Sequence, residues 1–223
     1  MNPEFWQNRW QEKRIGFNQT EVNPLLIKYW SDLNLPAGSR IFVPLCGKSI
    51  DIVWLAAQGY DVVGVELVES AVKEFFSENR ILHTIINHPH NPNIKYYHWQ
   101  HENQKIEILV ADIFSLSIED IDYIDAVYDK AALIALPADM RPDYSEQIRK
   151  ISDNAPQLVI TLAYDQSKKN GPPFSVSGDQ LQQYYGSHYQ ITELASEPAS
   201  IGSMPELEVT EQIWLLDKPR TDK

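Results

Sequence analysis

Between Arg40 and Glu69 the chain reads RIFVPLCGKSIDIVWLAAQGYDVVGVELVE, and no other stretch narrows the possible folds as far. Arg40 to Leu45 is a short, mostly apolar run, the pattern of a strand covered on both faces of a parallel sheet. Cys46-Gly47-Lys48-Ser49 is a turn, and Ser49 or Asp51 is placed to cap a helix running to about Gln58. Ile52, Val53, Ala56 and Ala57 recur there at helical spacing. Gly59 ends the helix, and Asp61 to Val65 is a second buried strand that delivers Glu66 at its carboxyl end.

In open parallel sheets ligands sit outside the carboxyl ends of the strands, where an acidic residue on the second strand grips ribose hydroxyls. Glu66 lies 19 residues beyond Gly47, close to the spacing of a dinucleotide or nucleoside site. The loop lacks G-x-G-x-x-G, however, because Gly47 is its only glycine. Three glycines let backbone approach a pyrophosphate, so losing two argues against NAD or FAD. An adenosine ligand without a diphosphate fits better, and S-adenosylmethionine is the common one. The plain alternative is an ordinary buried strand–helix–strand unit with Glu66 on the surface.

With 223 residues and 43 % hydrophobic content, the chain suffices for one large α/β core. A net charge of −12 leaves no cationic surplus to displace the counterions of a nucleic acid. The single cysteine, Cys46, excludes an internal disulfide framework and suits a reducing cytosol. MNPEFWQNRW has neither the basic nor the apolar region of a signal peptide, and no run reaches membrane-spanning length. The expectation is a cytoplasmic monomer acting on a small molecule, with neither nucleic acid nor membrane as partner.

Residues 3–14 form a short helix with Phe5, Trp6, Arg9 and Trp10 on one aromatic face. That face is either plain core or a lid whose rings meet a sulfonium cation. A turn at Ile15 to Gln19 leads to a second helix, about Pro24 to Leu33, and Leu35 to Gly38 breaks the chain before the central strand. After Glu66 a helix runs from about Ser70 to Asn79. Residues 83–101 hold five of the six histidines, but no cysteine joins them and no H-x-x-x-H pair sits on a convincing helix, so metal is not expected. His88-Pro-His90-Asn-Pro reads as a polar, turn-rich excursion, with Tyr96, Tyr97 and Trp99 placed to cover part of a ligand pocket.

Lys105 to Val110 is the third strand of the alternating pattern. Asp112 at its end is placed either to accept from an adenine amino group, with Ile113 packed on the ring, or simply to cap the next turn. Ile118 to Asp122 is an acidic turn, Asp125 to Tyr128 the fourth strand with Asp129-Lys130 at its end, and Asp143 to Ser152 part of a helix. Leu158 to Tyr164 is the fifth strand, Gln180 to Tyr185 a helix, and Tyr189 to Leu194 with Glu208 to Leu216 an antiparallel edge pair. Strand–helix alternation means a doubly wound sheet with helices on both faces, within one domain over 1–223. Residues 1–35 are its helical lid region, 40–217 its α/β core, and only Lys218 to Lys223 reads as disordered.

Taken together these residues resemble the thiopurine S-methyltransferase family of class I, Rossmann-like adenosylmethionine-dependent methyltransferases. The likeness is carried by Trp6-x-x-x-Trp10, Gly16-Phe17-x-Gln19, Phe42-x-Pro44-Leu45-Cys46-Gly47-Lys48 and Val63-Gly64-Val65-Glu66. It continues in Asp129-Lys130-x-Ala132-Leu133 and in Tyr164-Asp165 followed by Gly171-Pro172-Pro173-Phe174, so that it spans residues 6–174. The resemblance implies a seven-stranded, mostly parallel sheet with strand seven antiparallel, and methyl transfer from S-adenosylmethionine to the sulfur of an aromatic or heterocyclic thiol. It implies that Trp10, Leu45, Gly47 and Glu66 contact the cofactor, with Trp6, Asp112 and Ile113 nearby, and that Phe17 packs on the substrate. Where Lys130 stands the family more often has arginine, which contacts the cofactor and substrate region; lysine keeps the charge and loses the planar fork. The tail over 195–208 matches animal members poorly.

The implied chemistry asks mainly for alignment of acceptor sulfur, methyl and leaving sulfur. Lys130 is the expected catalytic cation, lowering the thiol pKa, and Cys46 is expected to be a packed residue rather than a nucleophile. Three rivals stay open: a methyltransferase for aliphatic thiols, halide, selenium or tellurium species; an adenosylmethionine-binding protein without turnover; and a dinucleotide oxidoreductase.

Overall fold

The computed structural model describes residues 3–88, 91–102 and 104–218. Ahead of the sheet come helices α1 (Pro3–Gln11) and α2 (Pro24–Tyr29), the latter running on as a 3-10 turn through Leu33. Asn23 starts α2 by accepting the N–H groups of Leu25 and Leu26 at its side-chain oxygen. The chain then alternates through β1 (Arg40–Val43), α3 (Asp51–Ala57), β2 (Asp61–Glu66) and α4 (Glu69–Glu78). Strands β3 (Thr84–Asn87), β4 (Lys95–His101) and β5 (Gln104–Val110) follow, then the one-turn helix α5 (Ile118–Ile121) where an acidic turn was expected. The chain closes with β6 (Ala126–Lys130), α6 (Arg141–Ile151), β7 (Gln157–Ala163), α7 (Gly178–Tyr185), β8 (Gln190–Ile201) and β9 (Met204–Asp217).

The strands form one sheet in the order β3-β4-β5-β2-β1-β6-β7-β9-β8. Pairs β5–β2–β1–β6–β7 are all parallel, and β9 is antiparallel to both β7 and β8. These seven strands are the expected set. The sheet has nine because β3 and β4 add an antiparallel pair at one edge. The histidine-rich segment is therefore largely strand. Aromatic and polar residues occur on both faces, Tyr96 beside His98 and Tyr97 beside Trp99 and His101, which hid the period of two, and His88-Pro-His90-Asn-Pro suggested a turn-rich excursion. Tyr96, Tyr97 and Trp99 all lie in β4, which pairs with β5 along its length and sets Lys95 and Tyr96 opposite Val110 and Leu109 at the carboxyl end of β5. The tip residues Pro89 and His90, and the tail from 219 on, lie outside the described residues.

Two apolar layers flank the sheet. Phe42, Val63, Val65, Val127 and Val159 face α5, α6 and α7. Ile41, Val43, Val62, Tyr128 and Ile160 face α2, α3 and α4. Each fully buried aliphatic or aromatic side chain contributes about 1.5–3 kcal/mol relative to exposure, so double coverage explains why the central strands read as unbroken apolar runs. The chain leaves β1 toward β2 and β5 on one side, and returns toward β6 and β7 on the other. The strand order thus reverses between β1 and β6, and a crevice opens at their carboxyl ends.

Candidate active site

Trp6, Trp10, Phe17, Leu45, Gly47 and Glu66 converge at the loop after β1. Leu45 and Gly47 both adopt left-handed backbone, at φ 44° and 54°. For Leu45 that conformation costs about 1–2 kcal/mol, and it wraps the loop tightly around the strand end. Gly47 is glycine for a second reason: a Cβ there would lie 3.3 Å from Cζ2 of Trp10. Trp10 is 2 % exposed and packs with Val68 and Ala71 at the start of α4, joined by Trp6, Ile15 and Phe17. Trp6 and Trp10 each meet Phe17 edge to face at 5.8 Å. The two tryptophans of α1 and the expected substrate residue Phe17 are thus one aromatic cluster resting on the loop.

Below that cluster Glu66 closes β2 with its carboxylate 7 % exposed. Oε2 accepts the Gly47 N–H at 2.9 Å and Oε1 the Val68 N–H at 2.7 Å. Burial pushes this carboxyl up from 4.5 to about 7, and the backbone N–H groups of Val68 and Gly47 hold it from rising further. Both oxygens keep a lone pair for an added donor, which suits a pair of ribose hydroxyls. Cys46 sits behind the loop, where a Cβ on Gly64 would lie 2.8 Å from its Sγ. The pairing of cysteine and glycine in the two motifs is therefore a packing constraint. Burial, then Glu66, pushes the Cys46 thiol well up, which removes it as a nucleophile.

Lys48 points away from the crevice, with its ammonium 3.0 Å from Glu74 and 2.7 Å from Glu78. Lys13, just after α1, pairs with the same Glu74, so α4 holds both the loop and the chain leaving α1. A loop whose lysine is committed to two carboxylates is a poor cradle for a pyrophosphate.

Asp112 caps the turn after β5, its Oδ1 accepting the Phe114 N–H at 3.1 Å, while Oδ2 has no partner among the described residues. Ile113 is 1 % exposed and belongs to the same apolar cluster that Leu45 packs against. It therefore offers no open face to a ring in this arrangement.

Lys130 ends β6, and Ala131 beyond it turns the chain at φ 65°. Its ammonium lies 3.4 Å from Oδ2 of Asp51, with 12 % of the side chain exposed and Asp51 fully buried. Asp51 is the first residue of α3 rather than its cap, and Ser49 Oγ accepts its N–H at 3.3 Å. The other partners of Asp51 are the Asn23 N–H at 2.9 Å and the Tyr128 hydroxyl at 3.0 Å. Sequence reading weighed Asp51 only as a helix cap, because its three partners come from α2 and β6, far away in the chain. On the opposite face Asp129 is buried, accepting the Tyr144 hydroxyl at 2.7 Å and the Leu133 N–H at 3.1 Å. Among the described residues no three His, Cys, Asp or Glu side chains converge as metal ligands, and no helix is long and apolar enough to cross a membrane.

The family model described as thiopurine S-methyltransferase matches residues 1–216. A protein of Psychrobacter cryohalolentis named thiopurine S-methyltransferase is 62 % identical over 219 residues, covering 98 % of this chain and all of that one. One of the same name from Shewanella pealeana is 42 % identical, covering 88 % of this chain and 87 % of the other. In fold the chain is similar to the 1,6-didemethyltoxoflavin-N1-methyltransferase of Burkholderia thailandensis, solved with S-adenosylhomocysteine. That likeness has a TM-score of 0.63 at 13 % identity, covering 97 % of this chain and 87 % of the neighbour.

Proposed function

Since this chain belongs to the thiopurine S-methyltransferase family, we propose that it methylates the sulfur of aromatic or heterocyclic thiols, thiopurines among them, with S-adenosylmethionine as the methyl donor. The observation that carries this reading is the buried Glu66 carboxylate, held by the Gly47 N–H beneath the Trp10 ring at the carboxyl end of β2. When bound, the cofactor supplies a sulfonium-activated methyl group. Glu66 receives the ribose hydroxyls, Leu45 and Gly47 shape the loop around the adenosine, and Asp112 takes the adenine amino group at its Oδ2. Ile113 backs that contact from the core. Trp10 and Trp6 close over the loop and exclude water, their ring faces attracting the sulfonium charge by about 0.5–2 kcal/mol.

Phe17 packs on the acceptor ring beside those indoles, and Lys130 approaches from β6 to hold the sulfur as a thiolate. Its charge is shared with Asp51, so the site presents a fixed and partly compensated cation rather than a bare one. The reaction then needs no covalent enzyme intermediate, in keeping with the inaccessible Cys46 thiol. We place the protein in the cytoplasm as a monomer, with residues 1–35 as lid on a single catalytic domain. Calorimetry with adenosylmethionine, adenosylhomocysteine and NAD tests the cofactor. A methyl-transfer screen over thiols, halide and metalloids then tests the acceptor. Binding of NAD alone, or methylation confined to inorganic selenium or tellurium, overturns the proposal.

A further inference from the structure

Asp51 is buried among three donors that come from two distant parts of the chain, Asn23 ahead of α2 and Tyr128 and Lys130 on β6. Its Oδ1 receives the N–H of Asn23, itself 1 % exposed and six residues beyond Phe17. Its Oδ2 receives the Tyr128 hydroxyl and faces the Lys130 ammonium. Glu211 on β9 faces the same place: burial pushes its carboxyl up, and Lys130 and then Asn23 pull it back. Lysine is a point charge on a four-carbon stem and lacks the planar fork that fixes arginine by two bonds, so an isolated lysine at the end of a strand wanders. A carboxylate with no route to solvent, pinned by two other donors, removes that freedom.

We propose that Asp51 is a positioning residue for the acceptor side of the site, fixing the Lys130 ammonium and, through the Asn23 N–H, the segment that carries Phe17. Both groups expected to touch the acceptor are thereby referred to one buried carboxylate, which sets the distance between them. This rests on the role of Lys130 given above. It predicts that the loss on removing Asp51 appears in acceptor turnover and not in cofactor affinity, because the Glu66 carboxylate is held by the Gly47 and Val68 N–H groups while Asp51 is held by Asn23, Tyr128 and Lys130.

The test is a cycle of Asp51→Asn, Lys130→Met and the double variant. kcat and KM are measured for one aromatic thiol, and the Kd for adenosylhomocysteine by calorimetry. Asp51→Asn keeps an acceptor oxygen while removing the charge. It is expected to lower kcat about tenfold, since misplacing a reacting group by about 1 Å costs up to a hundredfold, and to leave the Kd within about twofold. The double variant is expected to be no slower than Lys130→Met alone. If Lys130→Met retains full turnover, the role of Lys130 itself is wrong. If Lys130→Met is slow but Asp51→Asn is not, or if the two losses multiply in the double variant, only the inference about Asp51 is overturned. Should Asp51→Asn fail to fold, Asp51→Glu keeps the charge and displaces it by one methylene. A fall in kcat at unchanged Kd is then expected, and an unchanged kcat contradicts the proposal.

Discussion

The Glu66 carboxyl, raised from 4.5 to about 7 by burial, makes cofactor binding depend on pH in a defined direction. The folded chain prefers this group protonated, so its contribution to stability is complete below 4.5 and is lost as pH rises through about 7. The shift corresponds to roughly 3 kcal/mol between the two limits. Ligand binding runs the other way. Two ribose hydroxyls can both donate only to the ionised carboxylate, so protonation must be reversed before the ligand is held. The Kd for adenosylhomocysteine is therefore expected to be flat above pH 8 and to rise about tenfold for each unit below pH 7. Glu66→Ala is a poor probe because it orphans the N–H groups of Gly47 and Val68, at about 1–3 kcal/mol each. Glu66→Gln keeps one acceptor and removes a buried charge, so the two effects offset at pH 8 and the protein stays folded. Its affinity at pH 8 should fall by about 2 kcal/mol, near thirtyfold, and should no longer vary between pH 8 and 5.5. Calorimetry over that range decides the matter. A wild-type Kd that does not change with pH, or a slope that survives in Glu66→Gln, refutes the reasoning.

Deleting residues 1–14 should leave a folded sheet, because Trp10 is the one buried residue of α1, and should weaken adenosylhomocysteine binding about tenfold by calorimetry. Loss of the cooperative thermal transition would show that the aromatic face is core rather than lid. Tyr144→Phe removes a donor from buried Asp129, whose carboxyl burial pushes up to about 6. Urea unfolding should show a loss of about 1–3 kcal/mol at pH 8, where Asp129 is ionised, and a smaller loss at pH 5, where it holds a proton. Gly64→Ala should cost about 1–3 kcal/mol by driving a methyl group into Cys46 Sγ, and adding Cys46→Ala should recover most of it in the same assay.

Much of the fold was legible because β1, β2, β6 and β7 are buried on both faces and their apolar runs are unbroken. The aromatic helix, the loop and Glu66 were legible as motifs, and Gly47 and Gly64 turn out to be glycines because Trp10 and Cys46 occupy the space a Cβ would need. The β3–β4 pair was missed because its polar and aromatic alternation is interrupted by His88-Pro89 and by Asn91-Pro92, which dominate a local reading. Asp51 was missed as a site residue because its meaning lies in Asn23 and Lys130, 28 residues before it and 79 after. Ile113, expected against an adenine ring from its place beside Asp112 at the strand end, is 1 % exposed in the structure, and no local pattern marks an isoleucine for either use.

The central claim is methyl transfer from a sulfonium donor to a thiol sulfur, and its most direct test is a single turnover with methyl-labelled adenosylmethionine and a thiopurine. Product analysis by mass spectrometry should find the label on sulfur, with one adenosylhomocysteine formed for each methylated thiol. Donor that binds at the Glu66 site while the label stays with it, or reaches a ring nitrogen instead of sulfur, would contradict the account.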